Sequence, residues 1–422
     1  MSEVAQVTHS SPDGHIPQLR FPQFSGEWGR KLFNNIVDII DGDRGVNYPK
    51  SNDFFNDEYC LFLSAKNVTK NGFIFNETQF ITKERDALLR KGKLSRGDIV
   101  LTTRGTVGQF AFYSDDVLYD NIRINSGMVL LRNNNDNLLN SYFFKACKSF
   151  QISRQIKIVA FGSAQPQLTV KEINKIKISL PAKPEQQKIA AFLTAVDSKI
   201  EQLSKKQELL GEYKKGLMQK IFSQAIRFKA DDGSEFPDWE EKKLGDLIAE
   251  ISDGGTPPTS NKGNFGGGIN WVVIDDIRDE IRITKETLTE TGLSNSSSKL
   301  WKPETIILST GATIGRVGIA KIYTTTKQGV CGIVVNQFTS NLFLKYWFIF
   351  NINLLKRFSQ GSSIKEVRPP TLIKFDISTP SLPEQTKIAN FLSSIDSKIE
   401  QVGKQLDESK QFKKALLQQM FV

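Results

Sequence analysis

Arg104 lies in the segment TTRGTVG (102–108), among glycines and small hydroxyl residues and between two β-rich runs. A guanidinium on such a turn offers a flat fork of donors that fits a phosphate or the N7/O6 edge of guanine. The neighbouring glycines let backbone come close to a ligand. The corresponding later turn, STGATIG (309–315), has Gly311 in that place and Arg316 just beyond it. Either the two turns read different sequences, or Arg104 is a solvated turn residue. Four further cations stand beside glycine-rich loops and are candidates for phosphate contact, with a plain surface charge as the alternative. Lys157 precedes the Gly-Ser loop at 161–165, Lys365 and Arg368 follow the matching loop, and Lys262 sits in DGGTPPTSNKGNFGGG (253–268).

Other chemistries lack their residues. The only histidines are His9 and His15, near the N-terminus, which leaves none for a catalytic triad, a zinc site or a base titrating near neutrality. There is no GxxxxGK[ST] loop, no GxGxxG after a strand, and no NPPY-like tetrapeptide of the adenine methyltransferases. The runs at 253–268 and 309–318 lack the order of phosphate-binding loops and read as turns. Three cysteines (Cys60, Cys147, Cys331) stand far apart without a CxxC, as reduced thiols do in a cytosolic protein. A metal nuclease built only on Asp, Glu and Lys would need a motif that is not visible. The net charge of +10 and pI near 9.2 favour a polyanionic partner, most simply nucleic acid. No apolar run reaches the roughly 18 residues that span a bilayer, and the N-terminus lacks the order of a signal peptide. A cytoplasmic protein with no membrane partner is expected.

The elements that must position these cations are duplicated. Residues 184–203, PEQQKIAAFLTAVDSKIEQL, match 383–402, PEQTKIANFLSSIDSKIEQV, at fourteen of twenty positions, and the match continues ungapped to YKKGLMQKIF (213–222) and FKKALLQQMF (412–421). A repeat on this scale dictates the architecture. The expected order is a disordered leader (1–20), a first globular domain (21–182), a long helix (183–226), a polar hinge (227–236), a second globular domain (237–381) and a second long helix (382–422). Both globular regions open after a Trp with a helix-like stretch (28–42 and 239–254). Each later carries a β-rich run with a glycine turn (97–112 and 304–320). Each closes on a Gly-Ser loop before a last strand. The pattern reads as mixed α/β, or α+β.

Proline with Glu185 or Glu384 in the first turn suits a helix start. Apolar residues then step by three and four: Leu193, Val196, Ile200, Leu203, Leu210 and Leu217 in one copy, Leu392, Ile395, Ile399, Val402, Leu406 and Leu416 in the other. This is a coiled-coil seam, interrupted by Gln207, Ser409 and the matched Lys214 and Lys413. At 1.5 Å per residue each helix is roughly 60 Å long. The second globular domain begins where the first helix ends and ends where the second begins, so a compact domain makes the helices antiparallel. A pseudo-twofold dumbbell follows, suited to reading two DNA segments about one helical turn or more apart. Four residues added to one helix would lengthen it by about 6 Å and shift the gap by one or two base pairs.

The doubled motif, Leu-Pro, a few residues, then PEQ-x-KIA-x-FL-x-x-x-D-x-KIEQ, resembles that of the specificity (S) subunits of type I restriction–modification systems, over nearly the whole chain. The resemblance implies two target-recognition domains, each reading one half of an asymmetric, interrupted double-stranded DNA site, and a helix pair that sets the gap. It implies a non-catalytic subunit assembled with two methyltransferase (M) subunits and two restriction (R) subunits. S-adenosylmethionine, ATP and Mg²⁺ would belong to those partners and none to this chain. Two other readings stay open from the sequence: a DNA-binding regulator that works alone, and a coiled-coil scaffold whose basic charge aids solubility.

Overall fold

The computed structural model describes residues 6–7, 16–160, 166–359 and 366–422, and it divides into two compact units: Met1–Ser204 with Gln405–Val422, and Lys205–Lys404. In the first, an antiparallel sheet has the order Phe110–Phe112, Ile99–Thr102, Met128–Asn133, Val37–Asp41. Its two central strands read as continuous apolar runs because both faces are covered. Alternation along the strands sorts their side chains. Ile99, Leu101, Val129 and Leu131 join the core under the helices Asn140–Cys147 and Phe150–Ala160. Val100, Met128 and Leu130 face the other way, towards a smaller sheet of Ile122–Ile124, Cys60–Leu63 and Phe80–Ile81.

The second unit repeats this plan with one strand more. Its sheet runs Ile248–Asp253, Val330–Val335, Ile306–Ser309, Val317–Ala320, Glu280–Ile281. Ile306, Leu308 and Ile333 pack under the helices Asn341–Phe350 and Ile352–Arg357, while Ile307 and Val330 pack on the opposite side.

The stretches expected to be helical after each Trp are strands instead. Gly29–Leu32, a 3₁₀ turn at Phe33–Asn35 and Val37–Asp41 occupy 28–42; Glu240–Lys243, a 3₁₀ turn at Leu244–Leu247 and Ile248–Asp253 occupy 239–254. Their spacing suits either period, and sheet pairing decides. Gly29–Leu32 pairs antiparallel with the last strand of its domain, Lys177–Leu180, and Val37–Asp41 with Met128–Asn133. At the end of the expected 1–20 leader, Leu19–Arg20 is a strand whose Arg20 is buried; in the expected 227–236 hinge, Arg227 bonds Glu384 and Ala230 N donates to Ser234 O.

The long helices span Lys183–Phe222 and Leu382–Gln419. Within the second unit they run antiparallel: Gln207 lies against Gly403, and Lys214 bonds Asp396 at 2.5 Å. Within the first unit Lys413 bonds Asp197 at 2.6 Å, and Leu416, Met420 and Phe421 share a core with Leu193. Seam residues Leu193, Leu203, Leu406 and Leu416 of the first unit, and Leu392, Ile395 and Val402 of the second, are buried. Val196, Ile200, Leu210, Leu217 and Ile399 are half-buried. Among the described residues no helix is long and apolar enough to cross a membrane.

Candidate nucleic-acid interface

The two glycine turns share one scaffold, built on a strand-end hydroxyl that both donates and accepts. In the first unit Thr102 Oγ1 donates to Thr106 O and accepts from Gln109 N at 2.9 Å. The amides of Thr103 and Arg104 both donate to Gly127 O at 2.8 and 3.2 Å, and Leu168 N donates to Thr103 O at 3.0 Å. In the second unit Ser309 Oγ donates to Thr313 O at 2.5 Å and accepts from Arg316 N at 2.8 Å. The amides of Thr310 and Gly311 donate to Gly329 O at 2.9 and 3.1 Å, and Val367 N donates to Thr310 O at 2.9 Å. Bond for bond, Arg104 corresponds to Gly311 and Gln109 to Arg316. The backbone is the same and the residues are not: Arg104 and Arg316 are exposed, Gln109 is half-buried and Gly311 is buried.

Arg104 is exposed, with no ion pair among the described residues. Lys157 is exposed on the helix Phe150–Ala160, whose Ile156 packs directly beneath Gly108 of the turn. In the second unit Arg316 is already engaged, donating to Asp275 Oδ1 at 3.0 Å and Ile274 O at 3.1 Å. Arg368 is largely exposed and bonds Glu366 at 2.7 Å. Lys262 is exposed on a separate loop whose bonds run to Thr289, away from the turn. Lys365 lies outside the described residues.

Beside the second turn lies a cleft of about 550 Å³ lined by Asp253, Ser297, Gln328, Glu366 and Arg368. Asp253 ends the strand Ile248–Asp253 and is half-buried. Burial, with Glu366 nearby, holds its carboxyl above the usual range despite the Gly254 and Gly329 amides. The first unit has Asp41 in this place, and Arg44 neutralises it at 3.0 Å. After each Asp comes a glycine the packing requires: a Cβ on Gly42 would sit 2.3 Å from Asn125 O, and one on Gly254 2.3 Å from Lys327 O.

The sequence reading gave Glu185 and Glu384 a role only in starting the helices, and missed the anchors that the doubled motif builds. Buried Glu185 takes a two-pronged bond from Arg20 at 2.7 and 2.8 Å. Buried Glu384 takes Arg227 at 3.3 and 2.9 Å and Trp239 Nε1 at 3.2 Å. Next in each motif, Gln186 accepts from Leu139 N, and Gln385 from Ser340 N, both at 2.9 Å, which ties each long helix to the start of its domain's first packed helix. Asp197 accepts from Lys145 at 2.5 Å as well as from Lys413; Asp396 accepts from Tyr346 at 2.7 Å as well as from Lys214. Burial alone would raise Asp197, but the two lysines hold it below its ordinary range. The signal was present: a Glu-Gln and an Asp shared by both copies of the motif, of which the Asp in each meets a lysine of the other long helix. Among the described residues no group of His, Cys, Asp and Glu side chains is placed to hold a metal ion.

A family model for the type I restriction modification DNA specificity domain matches residues 32–210 and again 237–408. The chain is 26% identical over 365 residues to a putative type I restriction enzyme MjaX specificity subunit of Methanocaldococcus jannaschii, covering 84% of this chain and 83% of that one. It is 24% identical to the type I restriction enzyme HindI specificity subunit of Haemophilus influenzae, over 81% of this chain and 88% of that one. In fold it is similar to the type I restriction–modification S subunit from M. genitalium, with TM-score 0.60 and 14% identity over 96% of this chain and 99% of that one. It is also similar to a chain from a type I R-M system studied for complex assembly and conformational transition, with TM-score 0.57 and 18% identity over 92% and 96% of the two chains.

Proposed function

Because the chain belongs to the family of type I restriction–modification DNA specificity subunits, we propose that it directs a methyltransferase and a restriction nuclease to a two-part, interrupted, asymmetric DNA site. It is a specificity subunit and carries no catalysis of its own. The observation that carries the bipartite reading is the shared turn scaffold with unlike residues at matched positions, exposed Arg104 against buried Gly311 and half-buried Gln109 against exposed Arg316. Two readers on one backbone plan, differing where a base edge would meet them, suit two unlike half-sites. Arg104, with Lys157 nearby, serves the first half. The turn at 309–315, with Arg368, serves the second. Arg316 is held by Asp275 and sets the turn instead of reading. The paired helices fix the gap.

Two modification subunits and two restriction subunits complete the assembly in the cytoplasm, and S-adenosylmethionine, ATP and Mg²⁺ belong to them. Docking on the helices is supported by Tyr213 and Phe412, which occupy matched positions in the repeat and are 55% and 52% exposed. Large aromatics left half in water on otherwise polar faces suit a partner helix.

The test is a map of methylated adenines in cells carrying this chain with its modification subunit, against cells lacking this chain. The expected outcome is a two-part motif with a fixed unspecified gap, present only with this chain. A stable complex that adds no such motif sinks the reading and moves the protein to a regulator or scaffold.

A further inference from the structure

The chemistry of the second half-site is written in the cleft beside its turn. Asp253 forms no ion pair among the described residues, although Arg368 lies close enough to favour its charge; Gly254 N donates to its Oδ1 at 3.0 Å, and the Gly329 amide also supports it. A carboxylate offers about four acceptor positions, so Asp253 keeps capacity that water or a ligand must fill. Its walls are polar: Ser297, Gln328, Glu366 and Arg368. Its floor is bare backbone, since a Cβ on Gly255 would lie 2.5 Å from Ser298 N and one on Gly254 2.3 Å from Thr326 O. These glycines let the neighbouring backbone close tightly behind the cleft, so its base is main chain and not side chain.

The first unit shows what this place looks like when it is closed. There Arg44 neutralises Asp41 and also donates to Ser126 O at 3.3 Å, and Arg104 stands on the turn. The second unit has removed both cations: Gly311 replaces Arg104, and Gly254-Gly255-Thr256 follows Asp253 where Gly42-Asp43-Arg44 follows Asp41. A carboxyl with no ion pair among the described residues is the wrong group for a phosphate. It is the right one for an exocyclic amino group, which presents donors in the major groove on cytosine N4 or adenine N6.

We propose that Asp253, supported by Glu366 and Arg368, is a specificity-determining acceptor that selects an amino-bearing base, cytosine or adenine, at one position of the second half-site. Arg104 of the first unit faces an acceptor edge instead. The inference rests on the reading of each unit as the reader of one half-site. Within the site, Arg368 holds Glu366 by its 2.7 Å bond, and its exposed remainder is free to meet the adjacent phosphate. Burial, with Glu366 nearby, raises the Asp253 carboxyl despite its two backbone donors, which fits an acceptor with room for one donor more.

The experiment maps methylated motifs for the full chain with its modification subunit, beside the variants Asp253→Asn, Glu366→Gln and Arg104→Ala. Arg104→Ala identifies which half belongs to the first unit. The expected result for Asp253→Asn is that this first half is retained and one position of the other half relaxes from cytosine or adenine to two or more bases, with discrimination falling roughly tenfold. An unchanged motif overturns the inference, and so does an equal loss across both halves by an assembled complex. If Asp253→Asn fails to assemble, the partly exposed Glu366→Gln decides: relaxation at a second-half position supports the site, and an unaltered motif removes it. Absence of any two-part motif with the unmodified chain would instead strike the underlying reading of the protein.

Discussion

Where the long helices leave their globular domains, the two units agree almost atom for atom. Glu185 grips Arg20 as Glu384 grips Arg227, Gln186 and Gln385 each hold a helix start, and Asp197 and Asp396 each hold one group from the domain and one lysine from the other long helix. At the glycine turns only the backbone agrees, and the exposed residues diverge. The cause is energetic. A buried polar group without its partner costs its full desolvation, so each member of an anchor constrains the others. An exposed turn side chain costs almost nothing to exchange, and is therefore free to follow a target.

The anchors are also not quite equal, and breaking them should expose the difference. Arg20 and Glu185 are 5% and 3% exposed, whereas Arg227 is 23% exposed and has Asp238 as a second partner. Glu185→Ala strands a buried guanidinium and should destabilise its unit by about 3–5 kcal/mol. Glu384→Ala should cost less, about 1–3 kcal/mol, because water and Asp238 take over part of the charge. Hydrogen exchange of the intact chain would locate each loss in its own unit. Equal losses would mean that burial of the arginine does not set the cost.

The Asp anchors come next in size. Asp197 accepts two charged donors and Asp396 one charged donor and one phenol, so Asp197→Ala should cost about 3 kcal/mol and Asp396→Ala about 2 kcal/mol. Denaturant unfolding of both variants, with Asp197→Asn and Asp396→Asn beside them, would check the ordering. A larger loss at Asp396 would show that the Tyr346 bond outweighs the second lysine.

Much of this was legible in the sequence, and the omissions have physical causes. The repeat, the long helices, their antiparallel course and the seam follow from Leu193, Leu392 and their periodic neighbours, because period and connectivity are local properties of the chain. The glycine turns were visible as turns beside β-rich runs. The stretches after Trp28 and Trp239 were misread because short apolar runs fit a helix or a strand equally, and pairing with Lys177–Leu180 and Asp376–Thr379 is a long-range fact. Arg20 was placed in the leader because its partner lies 165 residues away. Asp253 was passed over within a glycine-rich run, since nothing local shows that Arg44 pairs with Asp41 while Asp253 has no ion pair among the described residues.

At the turns the comparison becomes one of specificity. Arg104→Ala should weaken discrimination at one base pair of the first half by about 1–3 kcal/mol while assembly and the second half stay intact. The methylated-motif map reads this directly. Equal weakening at every sequence, with a shallower salt dependence, would make Arg104 a phosphate contact. An unaltered map would leave it a solvated turn residue.

The smallest expected effect sits under the first anchor. Lys148 packs over the Phe144 ring at 4.3 Å, and burial together with Lys413 pulls its pKa down to about 8 from 10.5. Around it are Lys145 and Lys413 with the single carboxylate of Asp197, so one lysine too many is held in a half-dry place. The second unit has Ile349 at the matching helix position, half-buried against its core. Below pH 8 both folded and unfolded forms carry the Lys148 proton and the burial penalty is complete. Between pH 8 and 10.5 the unfolded chain keeps the proton that the folded one releases, so the unit gains stability as pH rises. Lys148→Ile should therefore raise the melting temperature at pH 7 by about 2 °C. The gap between variant and parent should close towards pH 10.5. A gap that stays constant across that range would assign the gain to packing against Phe144 alone, and the second unit's isoleucine would then reflect shape instead of charge.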